Sequence, residues 1–368
     1  MTIVQVQRQD IRVNIFLSSI GRGSNNSKRL YKTSLNHFTE FLKLKVQTPD
    51  TIIPSLTDGN INVYELLDQF VSYLSDQKVN PLSLKVYVSV VRSFLEFSDI
   101  DIVPSKFRRR VKVPKFYPDA EEPLTLSDIR TLLEYNSNHR LRTYILLLFS
   151  TGLRAVEAAS LRLQDVDFSV SPTRITIGRQ NSKTKRGRII YCSDEATIHI
   201  KRLVQMHSYK GPTDFIFAGK PHTKRPMSIY RTILEEFQKV QHIAEMDQRK
   251  ENSKRRKYTL HSFRRTSFSI INEQTNSEFA HYFLGHSGSP YWTRKESERR
   301  NIYRTKCMPF LTVYQETRNN TIEAALKEKE QEIQLLRQRD TLNTDAILTL
   351  SDRLEQIAKE IEVLKQKK

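Results

Sequence analysis

The sequence has few of the residues that would support several common architectures. It contains two cysteines, Cys192 and Cys307, in 368 residues, which is too few for a disulfide framework and not the spacing of metal ligands. It has no run of about 20 apolar residues, so it predicts no membrane-spanning helix. The first residues, MTIVQVQRQDIRVNIF, alternate apolar with polar residues, unlike a signal peptide. We therefore expect a soluble, cytoplasmic protein with reduced thiols.

Negative charge is also scarce. The chain has 41 Asp and Glu residues against 60 Lys and Arg, which gives a formal net charge of +19. A single-sign field of this size implies a polyanionic partner, and nucleic acid is the commonest one. An anionic membrane surface is the weaker alternative. With 38% hydrophobic and 27% charged residues, the chain is expected to build two domains and an appendage.

The N-terminal part reads as a small helical domain followed by a basic linker. Three stretches between Ser27 and about Ile102 have apolar residues at helical spacing, which predicts a helical domain over 27–103 after an extension at 1–26. The segment 104–123 holds four prolines, so we expect it to be extended. It is either a solvated tether or a strap along a DNA backbone, where its basic residues would contact phosphates: Arg108, Arg109, Arg110, Lys112 and Lys115.

The segment 124–318 is expected to form a second domain. Thr125 is placed to cap a helix, and the buried helix in RTYILLLFSTG ends at Gly152. RITIGRQ and RGRIIYCS alternate with high β content on either side of NSKTK, which predicts a hairpin. Several more helices complete the domain, so the predicted class is mainly α with a small β-sheet.

The segment 319–368 carries a heptad repeat. Apolar residues recur seven or fourteen apart in two seams, which predicts a coiled-coil helix that self-associates; the alternative is one long helix packed on its own domain. The seam residues are Leu326, Ile333, Leu336, Ile347, Leu350, Leu354, Ile357, Ile361 and Leu364.

Four short stretches of the second domain carry acid–base or strongly basic residues. They supply Arg154, Lys183, His261 with Arg264 one turn later, and His286. Each alone has an ordinary structural explanation, but together they suit the clamping of a phosphodiester. A tyrosine would add the nucleophile.

A metal site is the alternative to this interpretation. It would use His281, His286 and Cys307, but these lack carboxylate or thiolate partners at the usual spacings. We therefore predict no metal.

These stretches resemble the motifs of the tyrosine recombinases, the phage-integrase family. TGLRAVEAASLRLQDVDF is similar to the family's first box, LHSFRRTSF to its H-x-x-R box, LGH to its third box, and SKTK to the site of its catalytic lysine. The resemblance covers about Pro123 to Thr317, and the helical domain before it resembles the family's core-binding domain. In the family the two domains form a clamp around double-stranded DNA. YWTRKESE and PFLTV resemble archaeal integrase-like members.

The resemblance implies a site-specific recombinase or integrase that cleaves DNA through a 3′-phosphotyrosyl link and then rejoins it, without a metal or other cofactor. Arg154 and Arg264 would hold the non-bridging oxygens, and His286 would bond the phosphate. Lys183 would protonate the leaving 5′-oxygen with help from His261. Family members usually act as tetramers on two DNA sites, and such a protein would be associated with the nucleoid.

The sequence departs from the family pattern at three places. Arg265 stands where a His is common, and Lys185 competes with Lys183 for its role. The usual tyrosine lies about nine residues after the third-box His, where this chain has Lys295. We therefore predict the nucleophile among the three later tyrosines from reach and context, in the order Tyr291, Tyr303, Tyr314.

Two other functions stay open at this stage. A type IB topoisomerase uses similar residues to relax DNA, and a catalytically inactive DNA-binding accessory protein would keep the fold alone. The core-binding-like domain favours recombination over the first, and the joint presence of the basic and acid–base residues argues against the second.

Overall fold

The chain is mainly helical with a small three-stranded sheet, as the sequence predicts. The computed structural model describes residues 11–115, 122–182, 186–206, 211–220, 223, 225–249, 255–286, 289–314, 350–351, 353–357 and 359. The chain divides into two compact units, Met1–Ala120 and Glu121–Lys368. Each unit has its own hydrophobic core.

Unit 1 is built from helices around an aromatic core. Side chains of Ser24, Thr48, Asn62 and Asn80 accept backbone N–H groups at four helix starts, which satisfies donors that a helix leaves unpaired there. The helices are α1 (Ile11–Gly21), α2 (Asn25–Lys43), α3 (Pro49–Thr57), α4 (Val63–Asp76), α5 (Pro81–Phe97) and α6 (Pro104–Arg110).

Two expectations for this part of the chain differ from the structure. The segment taken as an extension contains α1, whose Phe16 and Leu17 are buried in the unit 1 core. The segment expected to be extended begins with helix α6, because Pro104 stands at its first turn, where a proline needs no hydrogen bond. Phe107 and Val111 pack against the core. The prolines therefore mark a helix start as well as extended chain.

Unit 2 surrounds its small sheet with helices. Strands β1 (Val166–Asp167), β2 (Thr173–Ile177) and β3 (Arg188–Cys192) are antiparallel in the order β1-β2-β3. Ile175 pairs with Ile190, so both are buried on the same face. The helices are α7 (Leu126–Glu134), α8 (His139–Thr151), α9 (Ala155–Ala159), α10 (Asp194–Met206), α11 (Pro226–Ile243), α12 (Leu260–Gln274), α13 (Ser277–Leu284) and α14 (Glu296–Ile302), followed by a π-helical turn at Tyr303–Cys307.

Two glycines end helices α8 and α13 where these helices approach strand β3. Gly152 (φ +59°) ends α8 and Gly285 (φ +80°) ends α13, a left-handed conformation that suits glycine. A Cβ at Gly152 would lie 3.3 Å from Leu284, and one at Gly285 would lie 2.8 Å from the Arg188 guanidinium. The ends of α8 and α13 therefore approach closely beside β3.

The predicted coiled coil falls mostly outside the described residues. Of its seam, the structure describes Leu350, Leu354 and Ile357, and all three are exposed in a short helical stretch. The heptad interpretation therefore stays a prediction. Within the described ranges, no helix combines the length and apolarity needed to cross a membrane.

Candidate active site

Arg264 is fixed by main-chain oxygens at the convergence of these helix ends. It lies one turn into α12, is 4% exposed, and donates from Nη1 to the Gly152 carbonyl and from Nη2 to the Leu284 carbonyl, each at 2.7 Å. Carbonyls at helix C-termini carry partial negative charge, which favours a cation there. Burial and the nearby Arg154 lower the pKa of Arg264 to about 9, so the guanidinium remains charged at neutral pH.

Arg154 is held by a carboxylate that is itself buried. Arg154 immediately precedes α9, and its Nη1 donates to Oε1 of Glu157 at 2.9 Å while its main-chain N donates to Oε2 at 3.1 Å. The Glu157 side chain is 3% exposed, whereas that of Arg154 is 23% exposed. The carboxylate therefore anchors the guanidinium and leaves part of it open to a ligand.

Arg188 completes this ion-pair network from the sheet. Its side chain is 1% exposed, its Nη2 lies 2.9 Å from Glu157 Oε2, and its Nε donates to the Phe283 carbonyl at 3.2 Å. Burial alone would raise the pKa of Glu157, but hydrogen bonds and charge from Arg188 and Arg154 outweigh it and hold that pKa below its usual value. The Glu157 carboxylate thus forms ion pairs with both Arg154 and Arg188.

His286 follows α13 and faces Arg264. Its Nε2 lies 3.3 Å from Nη2 of Arg264, and its Nδ1 lies 2.7 Å from Nδ1 of His281. Burial and the charge of Arg264, with smaller effects from His281, Arg154 and Arg188, lower the pKa of His286. The imidazole is therefore neutral at physiological pH in the free protein.

His261 lies one helical turn before Arg264 and is exposed. Although the residue is exposed, partial burial of its ring, then the charges of Arg264 and Arg154, lower its pKa. A neutral imidazole has a lone pair that can accept a proton. The structure therefore brings together four of the predicted residues: Arg154, His261, Arg264 and His286.

Lys183 and Lys185 lie outside the described residues. The structure describes the chain on both sides of them, from β2 through Ser182 and again from Arg186 into β3. The predicted hairpin is present as the antiparallel pair β2–β3. Which lysine serves the site stays a prediction.

The hydroxyl of Tyr291 lies at the end of α13 that is distant from His286. It accepts a hydrogen bond from Asn276 Nδ2 at 3.2 Å, and the ring is 7% exposed, between Phe279 and the Arg294 guanidinium. Asn276 precedes α13, whereas His286 follows its other end. Eight residues of helix span about 12 Å at 1.5 Å per residue, so this hydroxyl and His286 lie at opposite ends of α13.

The other two tyrosines are also engaged in packing. Tyr303 is fully buried, its ring stacks on Phe283 with centroids 5.2 Å apart, and its hydroxyl donates to the Ser150 carbonyl at 2.9 Å. Burial raises the pKa of Tyr303 well above its usual value. Tyr314 is half-buried against the core, and its main-chain N donates to Glu195.

The basic residues predicted to bind DNA are all exposed on unit 1. Arg110 pairs with Glu65 at 2.9 Å, and the main-chain N of Lys112 donates to Asp68. A groove of about 680 Å³ between α5 and the chain after α6 is lined by Arg108, Lys112 and Lys115 among others. These contacts hold the basic chain against its own unit.

Two residues of the site were missed by the sequence interpretation. Arg188 was read only as part of a β-hairpin, and its exact burial could not be inferred from a strand pattern. His281 was considered only as a metal ligand. No group of His, Cys, Asp and Glu side chains that could hold a metal occurs among the described residues. The signal for Arg188 is an arginine placed where a strand residue is expected to be buried, since a buried cation requires a partner.

Part of unit 2 is similar to a known protein family. Residues 122–290 match the phage integrase family model. A tyrosine recombinase of Pseudothermotoga lettingae is 28% identical over 45% of this chain and 58% of its own length. The tyrosine recombinase XerA of Saccharolobus solfataricus is 23% identical over 52% of this chain and 62% of its own. The chain thus spans about three fifths of these two relatives.

Solved structures give the same fold. A lambda integrase dimer bound to a COC′ core site aligns with a TM-score of 0.55 at 14% identity, over 77% of this chain and 97% of the other. XerH bound to a palindromic difH substrate aligns with a TM-score of 0.53, also at 14% identity, over 80% of this chain and 82% of the other. The segment that holds Arg154, Arg264 and His286 is therefore similar to the phage integrase family, the tyrosine recombinases.

Proposed function

We propose that this protein is a site-specific DNA recombinase that cleaves and rejoins DNA through a covalent 3′-phosphotyrosyl intermediate. The observation that carries the proposal is the pair of immobilised guanidiniums, Arg264 on two main-chain carbonyls and Arg154 on a buried carboxylate. A guanidinium presents five N–H donors in a planar fork. These anchors leave further donors of both residues for the non-bridging oxygens of a phosphodiester.

In the proposed cleavage step a tyrosine Oη attacks the phosphorus. The P–O5′ bond breaks as the Oη–P bond forms, the tyrosine proton leaves to a base, and the 5′-oxygen receives a proton. Charge on the non-bridging oxygens is stabilised by Arg154 and Arg264, which need little rearrangement. The reverse reaction with a different 5′-hydroxyl rejoins the DNA, and because the phosphotyrosine conserves the ester bond, the cycle consumes no cofactor.

Protons are moved by neighbouring residues in this scheme. His261 is neutral and exposed beside the two guanidiniums, which suits a group that assists proton transfer. Lys183, on the β2–β3 connection, is proposed as the donor to the leaving 5′-oxygen, with Lys185 as its alternative. His286 is proposed to bond a phosphate oxygen.

Tyr291 is our first choice for the nucleophile. Its ring is nearly buried, but it lies in a single 3₁₀ turn, Pro290–Trp292, only five residues after His286. Release of Tyr303 would expose a fully buried ring and break its hydrogen bond to the Ser150 carbonyl. This release is costly because burying an aromatic side chain is strongly favourable. Tyr291 therefore requires the smaller local rearrangement. Tyr303 and then Tyr314 follow.

The exposed basic chain of unit 1 is proposed to contact the DNA backbone. Arg108, Arg109, Arg110, Lys112 and Lys115 follow one another on and just after α6. Contacts of this kind position a protein on DNA without reading its sequence. They predict affinity that falls as salt concentration rises.

We propose that the active form is a tetramer on two DNA sites. A lambda integrase tetramer bound to a Holliday junction has the same fold, with a TM-score of 0.53 at 14% identity. The heptad repeat of the C-terminal segment supports self-association. Deletion of residues beyond about Asn320 should reduce the oligomer mass measured by light scattering and leave single-site cleavage largely intact. An unchanged mass would contradict the coiled-coil proposal.

The decisive experiment is capture of the covalent intermediate. The full chain is incubated with fragmented DNA from its source organism and with supercoiled plasmid, and then denatured. We expect DNA attached to one tyrosine, identified by mass spectrometry, at a recurrent sequence. Relaxation of any supercoiled plasmid without strand exchange would instead favour a type IB topoisomerase, and DNA binding without an adduct would favour an inactive accessory protein.

A further inference from the structure

The contact between His281 and His286 is not used by the cleavage scheme above. Their Nδ1 atoms lie 2.7 Å apart, so one nitrogen must carry a hydrogen and the other a lone pair. On its opposite side, Nε2 of His286 lies 3.3 Å from Nη2 of Arg264, which can only donate. Nε2 of His286 therefore accepts. The single proton of this neutral ring is on Nδ1, and it is donated to Nδ1 of His281.

We propose that His281 is a positioning residue that fixes the tautomer and orientation of His286. The two rings lie 5.0 Å apart, and Phe268 packs against both, at 5.3 Å from His281 and 6.3 Å from His286. The main-chain N of His286 also donates to the His281 carbonyl at 2.8 Å. With main chain and ring both tied to His281, Nε2 of His286 is held toward Arg264.

This orientation matters for the phosphate, and here the inference rests on the proposed function. When a phosphate oxygen takes the place beside Arg264, Nε2 of His286 faces an anion. With the Nδ1–H of His286 still donated to His281, Nε2 can bond that anion only after taking up a proton from solvent. The resulting imidazolium has two donors. Nε2–H is donated to the phosphate, and Nδ1–H is donated to Nδ1 of His281, which accepts it. A hydrogen bond to the charged form favours that form.

The charges around His286 decide when this proton is taken up. It faces Arg264 from α12, His281 from α13, Arg154 from the start of α9 and Arg188 from β3. Cations surround the ring, so without DNA it stays neutral. The negative charge of a bound phosphate opposes them, and the acceptor on His281 then supports the protonated ring.

The first test needs no DNA and uses the full chain with ¹⁵N-labelled histidine. Its nitrogen shifts should report a proton on Nδ1 of His286 and a lone pair on Nδ1 of His281. In His281→Asn the amide oxygen lies near the place of Nδ1, so the Nδ1–H proton of His286 should keep slow exchange with water. In His281→Gln the amide is one methylene further out, and that protection should be lost. A proton on Nε2 of His286, or equal exchange in both variants, would overturn the inference.

The second test measures adduct formation against pH on the DNA fragment captured above. The wild-type rate should fall as pH rises past the pKa of His286 in the complex. His281→Gln should move that fall to lower pH and slow the reaction about tenfold at neutral pH, the order expected for one hydrogen bond to a charged group. His281→Asn should keep both the pH at which the rate falls and the rate at neutral pH close to those of the wild type. Identical pH profiles for the two variants would refute the positioning role.

The two tests separate the two proposals. If the wild type forms no adduct with any DNA, the recombinase proposal fails, whereas the exchange measurement still decides the His281 contact. If adduct forms but the Asn and Gln variants behave alike in both measurements, the recombinase proposal stands and the role of His281 is wrong. Both variants keep a polar side chain of similar size at a half-buried position, which limits effects on folding.

Discussion

The basic cluster of unit 2 and the tyrosine-bearing segment after it are organised in opposite ways. Arg264, Arg154 and His286 are held by groups that do not have to move for a phosphate to bind. The segment 289–314 instead uses its tyrosines for packing, with the hydroxyls of Tyr291 and Tyr303 bonded elsewhere. The half of the site that is proposed to bind phosphate is thus formed in advance, whereas the proposed nucleophile must be delivered.

The largest expected effect comes from removing a single tyrosine hydroxyl, which tests whether the nucleophile must be delivered to the preformed basic cluster. Tyr291→Phe should abolish the covalent adduct completely, because the attacking oxygen is removed. Tyr303→Phe should leave the adduct and reduce the free energy of unfolding by about 1 kcal/mol, the usual worth of one buried hydrogen bond. Denaturing gels and urea unfolding measure the two effects. Loss of adduct in Tyr303→Phe with retention in Tyr291→Phe would reverse the assignment.

The next largest effect is expected from a substitution of Arg264, in the basic cluster that is formed in advance. Arg264→Lys keeps a charge but cannot reach both the Gly152 and Leu284 carbonyls while facing a phosphate. Adduct formation should slow by about 10²- to 10³-fold, as for loss of one donor to a developing anion. Arg265→Lys, the adjacent substitution on the same helix, is the control and should have a much smaller effect. Equal rates in the two variants would argue against a phosphate role for Arg264.

The ion-pair network under Arg154 gives a prediction about stability. Arg188→Met leaves the buried carboxylate of Glu157 with one cation fewer. The free energy of unfolding, measured in urea, should fall by about 3–5 kcal/mol. Arg174→Met, on the neighbouring strand β2, is the matched control because its partner Asp167 is partly exposed. That change should cost about 0.2 to 1 kcal/mol. Similar losses in both variants would show that the burial of the network contributes little.

The smallest expected effect is a pH dependence. Glu157 has its pKa lowered in the folded state from an ordinary 4.5, so its contribution to stability is present above that value and is lost as pH falls through the folded-state pKa. The wild type should therefore exceed Glu157→Gln in stability near neutral pH, and the difference should shrink below about pH 4.5. A difference that stays constant down to about pH 3 would mean that the carboxylate charge is not what stabilises the site.

Much of the fold was predictable because local patterns and tertiary packing agree. The helical class, the β2–β3 hairpin and the helix ends at Thr125 and Gly152 follow from spacing, capping and turn chemistry. The helix at Pro104 was not predicted, because a proline both interrupts a helix and suits its first turn. Only the packing of Phe107 on the core distinguishes the two.

The candidate site likewise has features that the sequence predicts and features that depend on tertiary packing. The sequence alone indicates which chemical groups are available, since Arg154, His261, Arg264 and His286 stand in recognisable motifs and the composition indicates a polyanionic partner. The tertiary structure decided which atoms meet: that Arg188 shares Glu157 with Arg154, that His281 faces His286, and that the hydroxyl of Tyr291 lies at the far end of α13. The physical reason is that motif spacing fixes positions along one helix or turn. Burial, tautomer and hydrogen-bond partners depend on side chains that arrive from distant elements.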